Sequence, residues 1–296
     1  MAEILGGFFS SHVPAIGGAI ARGVQQETYW KPFFDAWPPV RDWLGRVKPT
    51  TVVAFYNDHG LNFFLDKMPT FAVGAAPSYA NADEGWGLPL FPTVQGHPEL
   101  SWAIIEQLVE DEFDITTCQE MLCDHALSIP MVLAWPDHAP APVRVVPIAI
   151  NTVQHPLPSA KRCLALGRSV GRALAKWDRD ERVVVMGTGG LSHQLDGERA
   201  GFMNPEYDMF CLDNLSRDPD ALTRHSVHEI VELAGTQGVE ILNWIAARGA
   251  IAGAVSEVTR SYHIPISNTA ASVLVLETEA AQRAGQAAEA KTTEPA

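Results

Sequence analysis

Apolar runs recur along the chain, separated by longer stretches of mixed character. EILGGFF (3–9), TVVAFY (51–56), TFAVG (70–74), VRVVPIAI (143–150), RVVVMG (182–187) and SVLVLE (272–277) read as strands. Several are continuously apolar instead of alternating, which is the pattern of strands covered on both faces. Between them the apolar positions fall three and four apart. In SAKRCLALGRSVGRALAKW, residues Cys163, Leu166, Val170, Leu174 and Trp177 make one helical face, with Ser159 as N-cap. HPELSWAIIEQLVEDEF puts Leu100, Ile104 and Leu108 on one face and Pro98 in the first turn. Ser226 and Glu229 have capping-box spacing before IVELAG, and GVEILNWIAAR predicts a short helix ending at Gly249. Strands alternating with helices predict an α/β fold, a single-domain sandwich with a central mixed β-sheet covered by helices.

The polar intervals refine this picture. Residues 75–97 are rich in Pro, Gly and Asn and are expected to run over a site as an ordered excursion. ETEAAQRAGQAAEAKTTEPA lacks apolar periodicity. The expected division is therefore one domain over residues 1–277 and a flexible tail over 278–296. With 47% hydrophobic and 19% charged residues, a chain of 296 can bury a large core. A formal charge of −14 excludes a nucleic-acid surface, which needs concentrated Lys and Arg. No apolar run is long enough for a membrane span, and MAEILGGFFSSH lacks a basic leader region. Cys118, Cys123, Cys163 and Cys211 form no CxxC pair and read as reduced thiols. A cytoplasmic protein without nucleic-acid or membrane partners is expected.

Candidate chemistry gathers where strands give way to loops. His12 follows the first strand in SSHVPA, His59 follows the second in YNDHG, and His193 follows RVVVMG in TGGLSHQ. In α/β sheets, ligands bind beyond the carboxyl ends of the strands. Taken singly, each histidine reads as a loop residue bonded to backbone; three in equivalent positions point to a shared site. Two imidazoles and one carboxylate on one face suit non-haem Fe(II), and a zinc hydrolase can use the same set. The spacing leaves Asp58, Asp124 and Glu240 all open as the carboxylate. Glu240 also has an ordinary reading as a first-turn carboxylate on the helix dipole. There is no HExxH helix and no GxGxxG after a strand, so GTGG (187–190) reads as a tight turn that places His193. Ser267 and Asn268 read as a helix N-cap before TAASVLVL. His97, His138, His155, His225 and His228 read as surface residues, and Trp30, Trp43, Trp86 and Trp244 as packing or loop anchors.

Longer strings carry a family resemblance: SSHVPAIG, YNDHG, PTFAVG, ADEGWG, DEFD, DHALSIP, PSAKRC, GTGGLSHQLDGERAG, GVEILNW and YHIPISNTA. Over residues 3–277 the chain resembles the LigB-type class III extradiol ring-cleavage dioxygenases, the β subunits of protocatechuate 4,5-dioxygenases in particular. The resemblance implies Fe(II) ligands at His12, His59 and Glu240, a catalytic histidine at His193, and a further active-site histidine at His125. It also implies substrate contacts at Asn57, Ser267 and Asn268. The implied reaction inserts both atoms of O₂ into a carboxylated catechol beside its two hydroxyls. Protocatechuate is the first substrate implied, with gallate and 3-O-methylgallate as alternatives. A LigB-like metal-dependent hydrolase and a non-enzymatic relative are the rival readings. The resemblance further implies a separate small helical α subunit that lids the site, in an (αβ)₂ assembly.

Overall fold

A computed structural model of the chain describes residues 1–84, 93–137 and 141–283. Trp86, His138 and residues 284–296 of the expected tail lie outside the described residues. The strands are β1 (Glu3–Ser10), β2 (Thr51–Tyr56), β3 (Phe71–Gly74), β4 (Ser78–Asn81), β5 (Val94–Gln95), β6 (Thr116–Cys118), β7 (Leu122–Cys123), β8 (Arg144–Ile150), β9 (Arg182–Thr188), β10 (Ser256–Ile266) and β11 (Thr269–Glu277). The α-helices are α1 (Pro14–Arg22), α2 (Lys31–Phe34), α3 (Trp37–Val47), α4 (Pro98–Glu110), α5 (His125–Ala134), α6 (Ala160–Lys176), α7 (Pro205–Arg217), α8 (Val227–Ala234) and α9 (Ile241–Ala250).

Eight strands make one mixed sheet in the order β10-β11-β1-β9-β2-β8-β3-β6. Its centre, β1-β9-β2-β8, is parallel; β11 and β3 flank it antiparallel. Alternate side chains along each central strand serve opposite faces. Val53 and Phe55 of β2 and Val183 and Val185 of β9 pack with Leu100, Leu166, Leu212 and Leu242, from α4, α6, α7 and α9. Val52, Ala54, Val184 and Met186 point the other way, toward Ile16, Trp37, Trp43 and Leu127, from α1, α3 and α5. Both faces are thus covered, which is why these strands read as unbroken apolar runs. The α/β sandwich with a mixed central sheet is the one expected.

Four sequence expectations need correction. Ser267 and Asn268 do not cap a helix: they form the β10–β11 turn, both at positive φ (47° and 62°), where Asn is among the residues that tolerate the left-handed region. His97 is 1% exposed, because its ring caps α4 by accepting the Leu100 N–H. GVEILNW opens as a 3₁₀ turn (Gly238–Glu240), and α9 runs to Ala250, one residue past Gly249. Residues 278–283 continue as ordered chain: the Thr278 N–H donates to the Leu5 carbonyl, and Ala281 is buried.

Candidate active site

Three of the four adjacent parallel strands deliver a histidine at their carboxyl ends. His12 lies two residues beyond β1, His59 three beyond β2, and His193 five beyond β9. Since β9 lies between β1 and β2, the three loops are neighbours. Glu240 joins them from the turn before α9. Its Oε1 is 3.5 Å from His12 Nε2 and 3.4 Å from His59 Nε2, and its Oε2 is 3.9 Å from His193 Nε2. His125, first residue of α5, stacks on His59 with ring centroids 4.2 Å apart. His12 stands edge-on to both, at 5.2 Å and 5.4 Å.

Each of these four imidazoles has its Nδ1 occupied. His12 Nδ1 pairs with Thr188 Oγ1 at 3.1 Å. His59 Nδ1 donates to Asp124 Oδ2 at 2.8 Å, His125 Nδ1 to Glu84 Oε2 at 2.6 Å, and His193 Nδ1 to the Leu191 carbonyl at 2.9 Å. A carboxylate or carbonyl can only accept, so in His59, His125 and His193 the Nδ1 carries a proton and Nε2 is the nitrogen left outside that bond, whereas the Thr188 hydroxyl can serve either tautomer of His12. The Nε2 atoms of His12, His59 and His193 are the ones that face Glu240.

This bonding decides among the candidate carboxylates. Asp58 accepts from the N–H groups of Gly60, Leu61, Asn62 and Phe63, so it shapes the turn after β2. Asp124 accepts the N–H and Nδ1–H of His59 and caps α5 through the Ala126 N–H. Both side chains are engaged. Glu240 is the carboxylate within 3.5 Å of two imidazole Nε2 atoms. Adjacent donors around one small cation stand about 3 Å apart for bonds of about 2.1 Å, so the residues fit a metal held by two imidazoles and one carboxylate. The donor set matches that of non-haem iron. Ligand atoms of His12, His59 and His125 also come within 4.8 Å of one another, a three-imidazole grouping that shares His12 and His59 with the first. Glu84, Asp124 and His125 form a second such group, whose carboxylates are already bonded to His125 and His59.

Electrostatics agree with this division. Burial would raise the Glu240 carboxyl, but His12, His59 and His193 hold it well below the usual range. Burial also works against a charged His59, yet Asp124 and Glu240 together raise it to about 10. In His12 burial prevails over Glu240, and its proton affinity is lowered. Glu240 further accepts the Gly190 N–H at 2.8 Å and an Asn57 N–H at 3.2 Å. Gly189 sits at φ +135°, where a Cβ would lie 2.7 Å from Glu240 Cβ. The GTGG loop therefore seats Glu240 as well as leading to His193.

The remaining expected site residues divide. Asn57 is 1% exposed; its Nδ2 faces Glu240 and His59, and its Oδ1 accepts from Asn243 at 2.9 Å. Ser267 and Asn268 are exposed at their turn, where the Ser267 N–H donates to the Tyr29 hydroxyl. That turn adjoins the His193 loop, since Thr269 pairs with His193 in an antiparallel bridge. Sequence reasoning did not find Glu84, Thr188 or Asn243. Asn243 had a signal: it lies three residues after Glu240, one turn along the same helix face. Glu84 and Thr188 had none, because their meaning depends on contacts 41 and 176 residues away.

Comparison with known proteins adds an independent line. The family described as the catalytic LigB subunit of aromatic ring-opening dioxygenase matches residues 6–272. Gallate dioxygenase of Pseudomonas putida is 39% identical over 196 residues, covering 66% of this chain and 57% of that protein. A 2,3-dihydroxyphenylpropionate/2,3-dihydroxicinnamic acid 1,2-dioxygenase of Photorhabdus laumondii is 30% identical over 200 residues, covering 67% and 59%. A similarly named Rhodococcus enzyme is 28% identical over 263 residues, covering 74% and 81%. The chain thus spans less than two thirds of the length of the first two relatives. The crystal structure of an uncharacterized Escherichia coli K12 protein superposes with a TM-score of 0.52 at 15% identity, covering 80% of this chain and 91% of that one. That likeness concerns the fold alone.

Proposed function

The chain belongs to the LigB family of aromatic ring-opening dioxygenases, and on that premise we propose that it is an extradiol ring-cleaving dioxygenase acting at a mononuclear Fe(II) held by His12, His59 and Glu240. The observation that carries this reading is the convergence of two imidazole Nε2 atoms on one buried carboxylate oxygen, at 3.5 Å and 3.4 Å. The substrate is a benzoate with adjacent hydroxyls. Protocatechuate, cleaved at the 4,5-bond, is the substrate implied by the sequence resemblance. Gallate is the second reading, favoured by the 39% identical gallate dioxygenase.

Bound Fe(II) supplies Lewis acidity that acidifies the diol, and a centre at which substrate and O₂ meet. The chain's own residues do the rest. His193 has Nδ1–H committed to the Leu191 carbonyl, so it takes a phenolic proton at Nε2 and can return it there as the ring opens. His125, its Nδ1 held by Glu84 and its ring stacked on His59, would offer Nε2 to the substrate diol. Asn57 and the Gly190 N–H hold Glu240 in place. Ser267 and Asn268, beside the His193 loop, are the proposed carboxylate contacts. A small α subunit that closes the site, in an (αβ)₂ assembly, completes the proposal.

Oxygen uptake by protein loaded anaerobically with Fe(II) tests the reading. Protocatechuate and gallate are offered in parallel, with and without a co-expressed small helical partner chain. Uptake with a yellow ring-opened product is expected. Absence of uptake in every arm, together with ester or amide hydrolysis by the Zn²⁺-loaded protein, would sink the proposal. His193→Ala should retain iron and lose about 10²–10⁴-fold in kcat.

A further inference from the structure

Asp208 is a buried carboxylate, 1% exposed, that the proposed chemistry does not use. It lies in the first turn of α7 and accepts three hydrogen bonds. Its Oδ1 takes the Ser192 N–H at 2.8 Å; its Oδ2 takes the Ser192 hydroxyl at 2.7 Å and the Tyr262 hydroxyl at 2.6 Å. Ser192 Oγ in turn accepts the Asn204 N–H at 2.7 Å, so its proton must point to Asp208. Burial and the neighbouring Asp208 push the Tyr262 phenol up, so it too stays a donor. Three donors therefore meet two oxygens, an arrangement only an acceptor-only side chain satisfies.

Ser192 is the residue before His193. The loop is fastened on its other sides as well. The His193 N–H donates to the Ala234 carbonyl at 2.7 Å, and the His193 carbonyl accepts the Gly238 N–H at 3.2 Å. Gly235 packs so tightly on that carbonyl that a Cβ there would lie 2.2 Å from it. The His193 ring is aimed by its 2.9 Å bond to Leu191 O, two residues back, across Ser192. Any rotation of Ser192 would move that acceptor relative to the ring.

We propose that Asp208, braced by Tyr262, is a positioning residue: by pinning the Ser192 main chain and hydroxyl it holds the His193 imidazole in the Nδ1–H tautomer, with Nε2 aimed at the reacting diol. A carboxylate removed from water is costly, and a purely structural anchor for Ser192 could be neutral. The carboxylate is needed because no neutral side chain accepts from all three donors in one rotamer. This proposal rests on the role given to His193 above.

The test uses the full chain with Asp208→Asn and, as a milder change that leaves both Ser192 bonds, Tyr262→Phe. Nitrogen-15 NMR of histidine-labelled, metal-free protein reads the His193 tautomer, assigned by its disappearance in His193→Gln. The wild type should show protonated Nδ1 and unprotonated Nε2. Asp208→Asn should give a mixture, and Tyr262→Phe a smaller shift in the same direction. In the Fe(II)-loaded enzyme, Asp208→Asn should lose at least about tenfold in kcat, part of the full loss expected for an acid–base group. KM and iron content should stay within about twofold, since neither touches the ligand set. A wild-type tautomer retained in both variants overturns the proposal. So does a fall in kcat that only tracks iron content and thermal midpoint. Should the wild type consume no oxygen on any catechol, the functional reading fails, while the tautomer measurement still decides the positioning role.

Discussion

At the scale of single residues the site is built from pairs, each made of an inward nitrogen and an outward anchor. The consequence is a graded response to mutation. Glu240→Ala removes the only carboxylate within reach of both His12 and His59 among the described residues, and iron retention should be abolished. Asp124→Asn leaves every proposed ligand present but replaces the acceptor that orients His59, which should weaken iron affinity by about 10–100-fold without abolishing it. Metal analysis after dialysis against a graded chelator separates the two outcomes. Stoichiometric iron in Glu240→Ala would reduce that residue to a helix-start carboxylate.

At the scale of elements, the sequence disclosed what local periodicity encodes. The central strands announced themselves because both faces are covered, and α4, α6 and α8 because caps and apolar spacing agreed. β10 was missed: it pairs only with β11, at the sheet edge, so its side chains need not be uniformly apolar. Three histidines at equivalent strand ends pointed to a shared site, but the strand adjacency that makes it one was not legible, since no local signal says that β9 lies between β1 and β2. The same limit hid the opposite end of the sheet. There Glu181, just before β9, accepts from Thr50 and Thr51 at 2.7 Å and 2.8 Å, from His97 Nε2 at 3.1 Å, and from Arg144. His97 must be neutral to cap α4 through Nδ1, and burial, aided by Arg144, lowers its proton affinity. Burial would raise Glu181, but the two threonines, His97 and Arg144 lower it.

Both shifts make the cluster most stabilising near neutrality. The unfolded His97 takes up a proton from about pH 6.5 downward while the folded one resists, so its contribution falls from there. The contribution of Glu181 is full above its ordinary value of 4.5 and is lost as pH falls through its depressed value in the fold. Glu181→Gln should lower unfolding free energy at pH 7 by about 1–3 kcal/mol, the range for a hydrogen-bonded charged group. It should also flatten the decline below pH 4.5. Denaturant titrations between pH 3 and pH 8 measure both; an acid limb parallel to the wild type would exclude this account.

At the scale of the whole molecule, the charge of −14 is in tension with the proposed anionic substrate. The uniform part of the field repels a carboxylate, so capture relies on short-range donors and on the metal, and approach is slowed at low salt. At about 10 mM salt the Debye length is near 30 Å and much of the protein's charge is felt at the site; near 150 mM it is about 8 Å, and distant acidic groups are screened. The kcat/KM for protocatechuate or gallate should therefore rise several-fold between these conditions. That for uncharged catechol should stay nearly flat, which controls for effects of salt on the fold or the metal. If kcat/KM for the carboxylated substrates instead falls with salt, a local cationic funnel outweighs the net charge. Its source would then have to be sought close to the site, and Arg199, six residues after His193 and 3.7 Å from Glu232, is the first to substitute.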